Sequence, residues 1–299
     1  MKILVVDDSR VYRKLLEDLL VSWGYEVVLA ADGQQAQKLL EDVDTPRLAI
    51  VDCLMPGISG LELCRQIRSR ENSYVYTILL SSADQHSDVL KGFELGADDY
   101  ICKPLDELEL RTRLKVGERI IRSQEELAAA HEALRFEASH DVLMPIWNRK
   151  TILELLAKEM SRSRRSNQPL CVLLADLDLF KLVNDAHGHL VGDEVLRITV
   201  ERMSAAVRHS DQVGRYGGEE FLLVLPNCSA QLASEVAERI RQRVSAETMA
   251  DGVTVTLSIG ISELHMDDDL THLLNRADVA LYRAKQNGRN QSAFEPVNS

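Results

Sequence analysis

A chain of 299 residues has room for about two domains, and its 45% hydrophobic and 27% charged residues give it the composition of an ordinary globular protein. Its formal net charge of −12 argues against a general nucleic-acid surface, which needs a basic face to displace counterions. No apolar run approaches the ~18 residues that a bilayer span requires, and Met1-Lys2 leads directly into a strand pattern with no signal-peptide character, so the expectation is a cytoplasmic protein with neither a membrane nor a nucleic acid as partner.

The first elements alternate. Lys2-Ile3-Leu4-Val5-Val6 is an apolar strand closing on Asp7-Asp8, and residues 47–51 form another closing on Asp52. Residues 77–80 close on Ser81-Ser82, and Tyr100-Ile101-Cys102 closes on Lys103-Pro104. Such runs separated by helical patterns predict a doubly wound parallel sheet, with ligands bound beyond the carboxyl ends of the strands. Three carboxylates, a hydroxyl and a lysine then converge on one spot. Asp7, Asp8 and Asp52 repel one another as bare anions, and a Mg²⁺ among them is the natural resolution.

This constellation resembles the receiver domain of bacterial response regulators, over residues 1 to about 120. The resemblance implies a (βα)5 fold with Asp52 as phosphoacceptor, supplied by a histidine kinase or a small phosphodonor. It implies that Asp7, Asp8, Asp52 and the Cys53 carbonyl hold Mg²⁺, that Ser82 contacts the phosphoryl group, that Lys103 pairs with it, and that Tyr100 is the aromatic switch. Chemically this is nucleophilic attack by a carboxylate on phosphorus, with cations offsetting the charge.

Residues 105–138 are rich in Glu, Leu, Ala and Arg, with no proline and a single glycine, Gly117. They predict one long helix of about 50 Å at 1.5 Å per residue. Ile120, Leu127 and Leu134 recur every seven residues beside a second line of Leu114, Ile121 and Ala128. That pattern predicts a weak coiled-coil stalk and a homodimer, with Gln124 and His131 at core-like positions limiting the registers. The competing reading is an amphipathic helix packed on its own domain.

Farther on, the continuous apolar run Cys171-Val172-Leu173-Leu174-Ala175 ends in Asp176-Leu177-Asp178 and predicts a buried strand. Alternation puts Asp176 and Asp178 on one face about 7 Å apart. In Arg215-Tyr216-Gly217-Gly218-Glu219-Glu220-Phe221 the glycine pair reads as a hairpin turn with access to φ > 0 and no Cβ to obstruct a bulky ligand. Glu219 and Glu220 face opposite ways, so one of them can meet Asp176. Asp176 with Glu219 makes a sparse oxygen cage suited to Mg²⁺ and a nucleotide triphosphate. Asp178 is either a supporting partner or solvated. His187 and His189 suit zinc or copper better than magnesium and read as hydrogen-bonding residues.

These residues resemble the GGDEF family of diguanylate cyclases, here as GGEEF, from Asp141 to Phe294. The match includes residues 176–181, Asn184-Asp185, Gly188-His189, Gly192-Asp193 and residues 285–290. The resemblance implies an α+β palm-like domain that condenses two GTP into cyclic di-GMP and two pyrophosphates. It implies that Asp176, Glu219 and the Leu177 carbonyl hold Mg²⁺, that Glu219 is a candidate base beside Glu220, and that Asn184 and Asp193 read guanine. Phe180, Lys181, Gly217, Gly218, Lys285 and Arg289 complete the substrate site. Arg208-x-x-Asp211 has the spacing of the family's inhibitory product site, with Arg239 as its second arginine. A non-catalytic nucleotide receptor and an enzyme joining GTP to ATP are the other readings. Met144 and Pro145 stand where the family has a small polar residue and a glycine, which stiffens the hinge. The expected domains are 1–120, a helical stalk at 105–138 overlapping the last receiver helix, and 139–296. Five cysteines with no CxxC pair read as small buried hydrophobes in a reducing compartment.

Overall fold

In the computed structural model, which describes residues 1–41, 45–70, 74–82 and 91–295, the chain divides into two units, Met1–Glu132 and Ala133–Ser299. Residue 296, the last of the expected second domain, lies outside the described residues.

The first unit holds β1 (Lys2–Val6), β2 (Glu26–Ala30), β3 (Leu48–Asp52), β4 (Tyr76–Ser82) and β5 (Asp99–Lys103). All are parallel, in the order β2-β1-β3-β4-β5. Strand β2 was not singled out from the sequence, because its carboxyl end delivers no polar group to the cluster. Helices α1 (Arg10–Ser22), α2 (Gly33–Leu40) and α3 (Gly60–Arg68) begin at Ser9, Asp32 and Ser59, whose side chains accept from Tyr12, Gln35 and Glu62 N–H and so satisfy otherwise orphaned donors. Alternation along β1 sends Leu4 and Val6 toward Ala36, Leu40, Leu63 and Ile67. Ile3 and Val5 pack with Leu16, Leu20, Leu110 and Leu114 on the other face. The doubly wound expectation holds because the central strands β1, β3 and β4 are buried on both faces.

The long helix α4 spans Glu107–Ser139. Its first part buries Leu110, Leu114, Gly117 and Ile121. A Cβ on Gly117 would stand 2.6 Å from the Tyr76 ring, so that glycine is where the helix approaches the sheet most closely. Leu114 and Ile121, expected in a stalk seam, are instead part of the first unit's core. Every residue from 122 to 138 is exposed, including Leu127 and Leu134 at 63% and 62%. The reading as a helix packed on its own domain thus holds for the first part of α4, and the second part makes no such packing.

The second unit is built from α5 (Arg149–Ser166), β6 (Leu170–Leu177), α6 (Phe180–His187), α7 (His189–Ser204), β7 (Gln212–Arg215), β8 (Glu220–Pro226), α8 (Ala230–Ser245), β9 (Leu257–Glu263), α9 (Leu270–Gln286) and β10 (Ser292–Phe294). Its sheet order is β10-β9-β6-β8-β7, antiparallel except for the β9 and β10 pair. Central β6 is buried along its length. Leu170, Val172 and Leu174 pack with residues of α5 and α9, and Cys171, Leu173, Ala175 and Leu177 with residues of α7 and α8. Met144, at the expected hinge, is buried in that second cluster, where its thioether fills core space.

Cys53, Cys64, Cys171 and Cys228 are buried free thiols, and Cys102 is half-buried. Burial pushes the Cys64 thiol up to about 12, which leaves it an inert core group. Among the described residues no helix is long and apolar enough to cross a membrane.

Candidate functional site

The first unit gathers its polar groups where strands β1, β3 and β5 end. Lys103 Nζ lies 2.9 Å from Asp7 Oδ2 and 3.0 Å from Asp52 Oδ2. Asp7, Asp8 and Asp52 each offer an oxygen within 4.8 Å of the others, and Asp7 is fully buried. Three hard carboxylate donors so close together fit a small divalent cation such as Mg²⁺. Burial pushes the Asp52 carboxyl up, while the Lys103 hydrogen bond and charge pull it back. Burial works against the charge on Lys103, yet bonds to Asp7 and Asp52 raise its pKa overall.

Gly60 shows why no side chain is admitted at the start of α3, since a Cβ there would stand 2.1 Å from the Asp52 carbonyl oxygen. The Cys53 carbonyl, expected to face a metal, accepts the Gly60 N–H at 3.1 Å and so has only its second lone pair to offer. Ser82 pairs in register with Lys103, and Tyr100 meets Phe93 edge-on at 5.9 Å. One contact had no sequence signal: the Tyr12 ring lies 4.3 Å from Lys103 Nζ, a cation–π distance.

In the second unit the site forms at the end of β6. Register sets Asp176 opposite Glu220 on β8 and Ser258 on β9. Leu177 N–H donates to the Glu219 carbonyl at 3.2 Å, which brings the hairpin tip to the strand end. Lys285, on α9, reaches Asp176 at 2.8 Å, because Asp176 lies on the strand face that packs against α9. Burial raises the Asp176 pKa, Lys285 lowers it, and Asp178 raises it again. Burial and then the charge of Asp176 raise Glu219. Two carboxyls, one of which raises the pKa of the other, are a donor pair that a divalent cation relieves, so these residues also fit Mg²⁺.

The hairpin turns without left-handed glycine. Gly217 and Gly218 are absent from the positive-φ residues, contrary to the expectation that they reverse the chain that way, because the turn spans enough residues to close without it. Tyr216 N–H and Gly217 N–H both donate to the Glu220 carbonyl. The glycines matter for space. A Cβ on Gly217 would meet Glu220 Oε2 at 2.4 Å, whereas Gly218 faces nothing within 4 Å. Arg215 holds this tip, donating to the Gly217 and Gly218 carbonyls and pairing with Asp141 at 3.2 Å. Nothing in a linear reading joins Arg215 to Asp141, because each has ordinary charged neighbours.

Asn184 and Asp193 come together because α6 and α7 cross at Gly192. A Cβ there would meet Asn184 Oδ1, so the glycine leaves room for the asparagine side chain where it stands, next to Asp193. Lys181 is exposed at the start of α6. Phe180, by contrast, is 5% exposed and part of the core. Lys285 and Arg289 are not one solvated helix face, since α9 ends at Gln286 and Arg289 lies in the following loop. Asp178 is not solvated: it is 7% exposed and accepts from Thr256, Ser258 and Asn290. His187 Nδ1 lies 3.3 Å from Asp251.

Asp211 Oδ2 accepts Arg208 N–H at 2.8 Å, leaving the Arg208 side chain exposed. Arg239 on α8 donates to the Ala206 carbonyl at 2.8 Å, which places it beside the same turn.

Comparison with known proteins places both units. Residues 138–291 match the family model described as diguanylate cyclase, GGDEF domain, and residues 3–115 that of the response regulator receiver domain. The chain is 33% identical to response regulator PleD of Caulobacter vibrioides over 297 residues, covering 97% of this chain and 64% of that protein. It is 39% identical to diguanylate cyclase DosC of Escherichia coli over 164 residues, covering 54% of this chain and 36% of that one. The chain thus spans less than two thirds of the length of these curated relatives. Among solved structures, the coiled coil and GGDEF domain of DgcB from Caulobacter crescentus, in complex with c-di-GMP, is similar at a TM-score of 0.56 and 28% identity, over 63% of this chain and all (100%) of that one.

Proposed function

The chain belongs to the diguanylate cyclase GGDEF-domain family and carries a response-regulator receiver domain ahead of it, and from that premise we propose that it condenses two molecules of GTP into cyclic di-GMP and two pyrophosphates under the control of phosphorylation at Asp52. The observation that carries the reading is the juxtaposition of Asp176 and Glu219 at the carboxyl end of β6, with Lys285 across it.

In this reading the guanine edge is taken by Asn184, which offers both a donor and an acceptor, and by Asp193, which accepts from N1–H and N2–H. Lys181, Lys285 and Arg289 bring positive charge to the triphosphate. Asp176, Glu219 and the Leu177 carbonyl would hold Mg²⁺, which when bound would supply Lewis-acid stabilisation of charge on phosphate oxygens. Glu219, its pKa raised by burial and by Asp176, is the group poised to accept the proton of the attacking 3′-hydroxyl. The bond from that oxygen to the α-phosphorus forms as the bond to pyrophosphate breaks. Two such events on facing subunits close the ring, so the enzyme works as a homodimer, and the exposed Leu127 and Leu134 are the stripe through which α4 pairs.

At the first site, an oxygen of Asp52 attacks the phosphorus of the phosphodonor as the bond from phosphorus to the donor atom breaks, with Lys103 offsetting the charge; Asp7, Asp8 and Asp52 would hold a Mg²⁺ that would add to that charge compensation, and Ser82 and Tyr100 report the phosphoryl group. Arg208, Asp211 and Arg239 form the product site that gives feedback inhibition. GTP and a histidine kinase place the protein in the cytoplasm.

The test is direct. The full chain is incubated with GTP, ATP or both, with Mg²⁺, with and without beryllofluoride, and the products are identified by mass. Cyclic di-GMP from GTP alone supports the reading; no cyclic dinucleotide under any condition refutes it.

A further inference from the structure

Asp178 is a buried carboxylate to which the reaction just described gives no role. Its Oδ1 accepts from Ser258 Oγ at 2.6 Å, and its Oδ2 accepts from Thr256 Oγ1 at 2.7 Å and from Asn290 N–H at 3.0 Å. The last of these joins the end of β6 to the loop after α9. In that loop Gly288, Arg289 and Asn290 follow one another at φ of 110°, 61° and 47°. Glycine takes such angles freely, but two successive side-chain-bearing residues do so only where the surroundings impose it. Three bonds impose it here: Arg289 N–H to the Ala284 carbonyl, Asn290 N–H to Asp178, and Arg241 Nη1 to Asn290 Oδ1 at 2.8 Å.

Arg289 itself is exposed. Among the described residues its guanidinium has no hydrogen-bond or ion-pair partner, and it borders an open cavity of about 510 Å³. The point from which the guanidinium reaches out is therefore set by its backbone, and the charge of Asp176 acts on it from the substrate side. What holds the backbone holds that point of departure.

We infer that Asp178 is a positioning residue for substrate phosphate: by holding Asn290 N–H it locks the left-handed Arg289-Asn290 backbone and so aims Arg289 at the triphosphate, with Arg241 on α8 bracing the same loop from the other side. The inference rests on the proposed GTP site and deepens it. It makes three hydrogen bonds at the base of the loop part of nucleotide affinity and not only of folding, since a displacement of about 1 Å in a positioning group costs much of its effect.

The experiment measures binding of the α,β-methylene analogue of GTP, which cannot release pyrophosphate, and of guanosine, which has no phosphates. The full-length variants are Asp178→Ala, Asp178→Asn, Arg241→Ala, Arg289→Ala and the double variant Asp178→Ala with Arg289→Ala. Asp178→Ala should weaken the analogue about tenfold and leave guanosine unchanged, and it should add little on top of Arg289→Ala, as expected of two residues acting through one interaction. Asp178→Asn keeps an acceptor toward Asn290 and can donate to Ser258, so it should restore most of the affinity. Arg241→Ala, which leaves the buried cluster intact, should give a smaller loss in the same direction and reports on the loop even if Asp178→Ala does not fold. An Arg289→Ala that binds the analogue as the parent does overturns the phosphate role of Arg289, and the inference with it. If Arg289→Ala is weakened but the effect of Asp178→Ala is additive, or extends equally to guanosine, or if Arg241→Ala has no effect, the inference alone is overturned.

Discussion

At the scale of single residues, the second site is an arrangement of anions held against their own repulsion. Glu219 carries a pKa raised first by burial and then by Asp176, and the replacement Glu219→Gln removes the charge while keeping the volume. Turnover should fall by about 10²–10³-fold, the loss typical of removing one charge-stabilising group, with the fold intact; a product assay beside a thermal melt checks both. The same variant tests the electrostatics. A carboxyl whose folded-state pKa is raised binds protons more tightly when folded, so its contribution to stability is present below the ordinary carboxylate range and is lost as pH rises through the raised value. Without metal, the parent should lose stability over that window more steeply than Glu219→Gln. Melting temperatures from pH 4 to 8 in a chelator would show it, and parallel curves would count against the assigned cause.

At the scale of elements, α4 divides its labour along its length. Leu110, Leu114 and Ile121 are committed to the first unit's sheet, and Leu127 and Leu134 remain exposed. A lysine at the second of these places, Leu134→Lys, puts a charge in the proposed seam without touching either core. The dimer should weaken about tenfold or more, roughly 1.4 kcal/mol, with cyclic dinucleotide synthesis falling at low protein concentration and recovering as concentration rises. Sedimentation across a dilution series, read against activity, checks this. A variant that dimerises and turns over like the parent would remove α4 from the interface.

At the scale of the whole molecule, the control proposed above is a population shift between arrangements of two catalytic units, worth only the differential contacts of the phosphoryl group in each state. Beryllofluoride at Asp52 should raise the initial rate and the dimer fraction together, without changing nucleotide affinity per site. A rate that rises with no change in dimer fraction or helix contacts would point to a different route. Inhibition by product is the opposing control in this proposal, and the residues proposed for it are distinct. Arg208, exposed beside Arg239, can be changed to alanine without touching the substrate groups. Arg208→Ala should leave the initial rate alone and let product accumulate past the level at which the parent stalls, as full progress curves would reveal.

Sequence alone settled much of this. Apolar runs ending in Asp7-Asp8, Asp52, Lys103 and Asp176 identify strands and place their polar ends, because β periodicity and burial are local properties of the chain. The doubly wound parallel sheet of the first unit was legible for that reason. Other features depended on partners distant in the chain. The use of Leu114 and Ile121 in a core and not a seam, the burial of the Phe180 ring and of Met144, and the Arg215 grip on Asp141 and the hairpin are settled only when elements pack. So are the room that glycine at 192 leaves for Asn184 and the three hydrogen bonds that take Asp178 out of solvent. Spacing along a chain fixes which face of its own element a side chain occupies, and tertiary structure decides what meets it there, since the energies that choose among partners, burial and hydrogen-bond satisfaction, exist only once the other element has arrived.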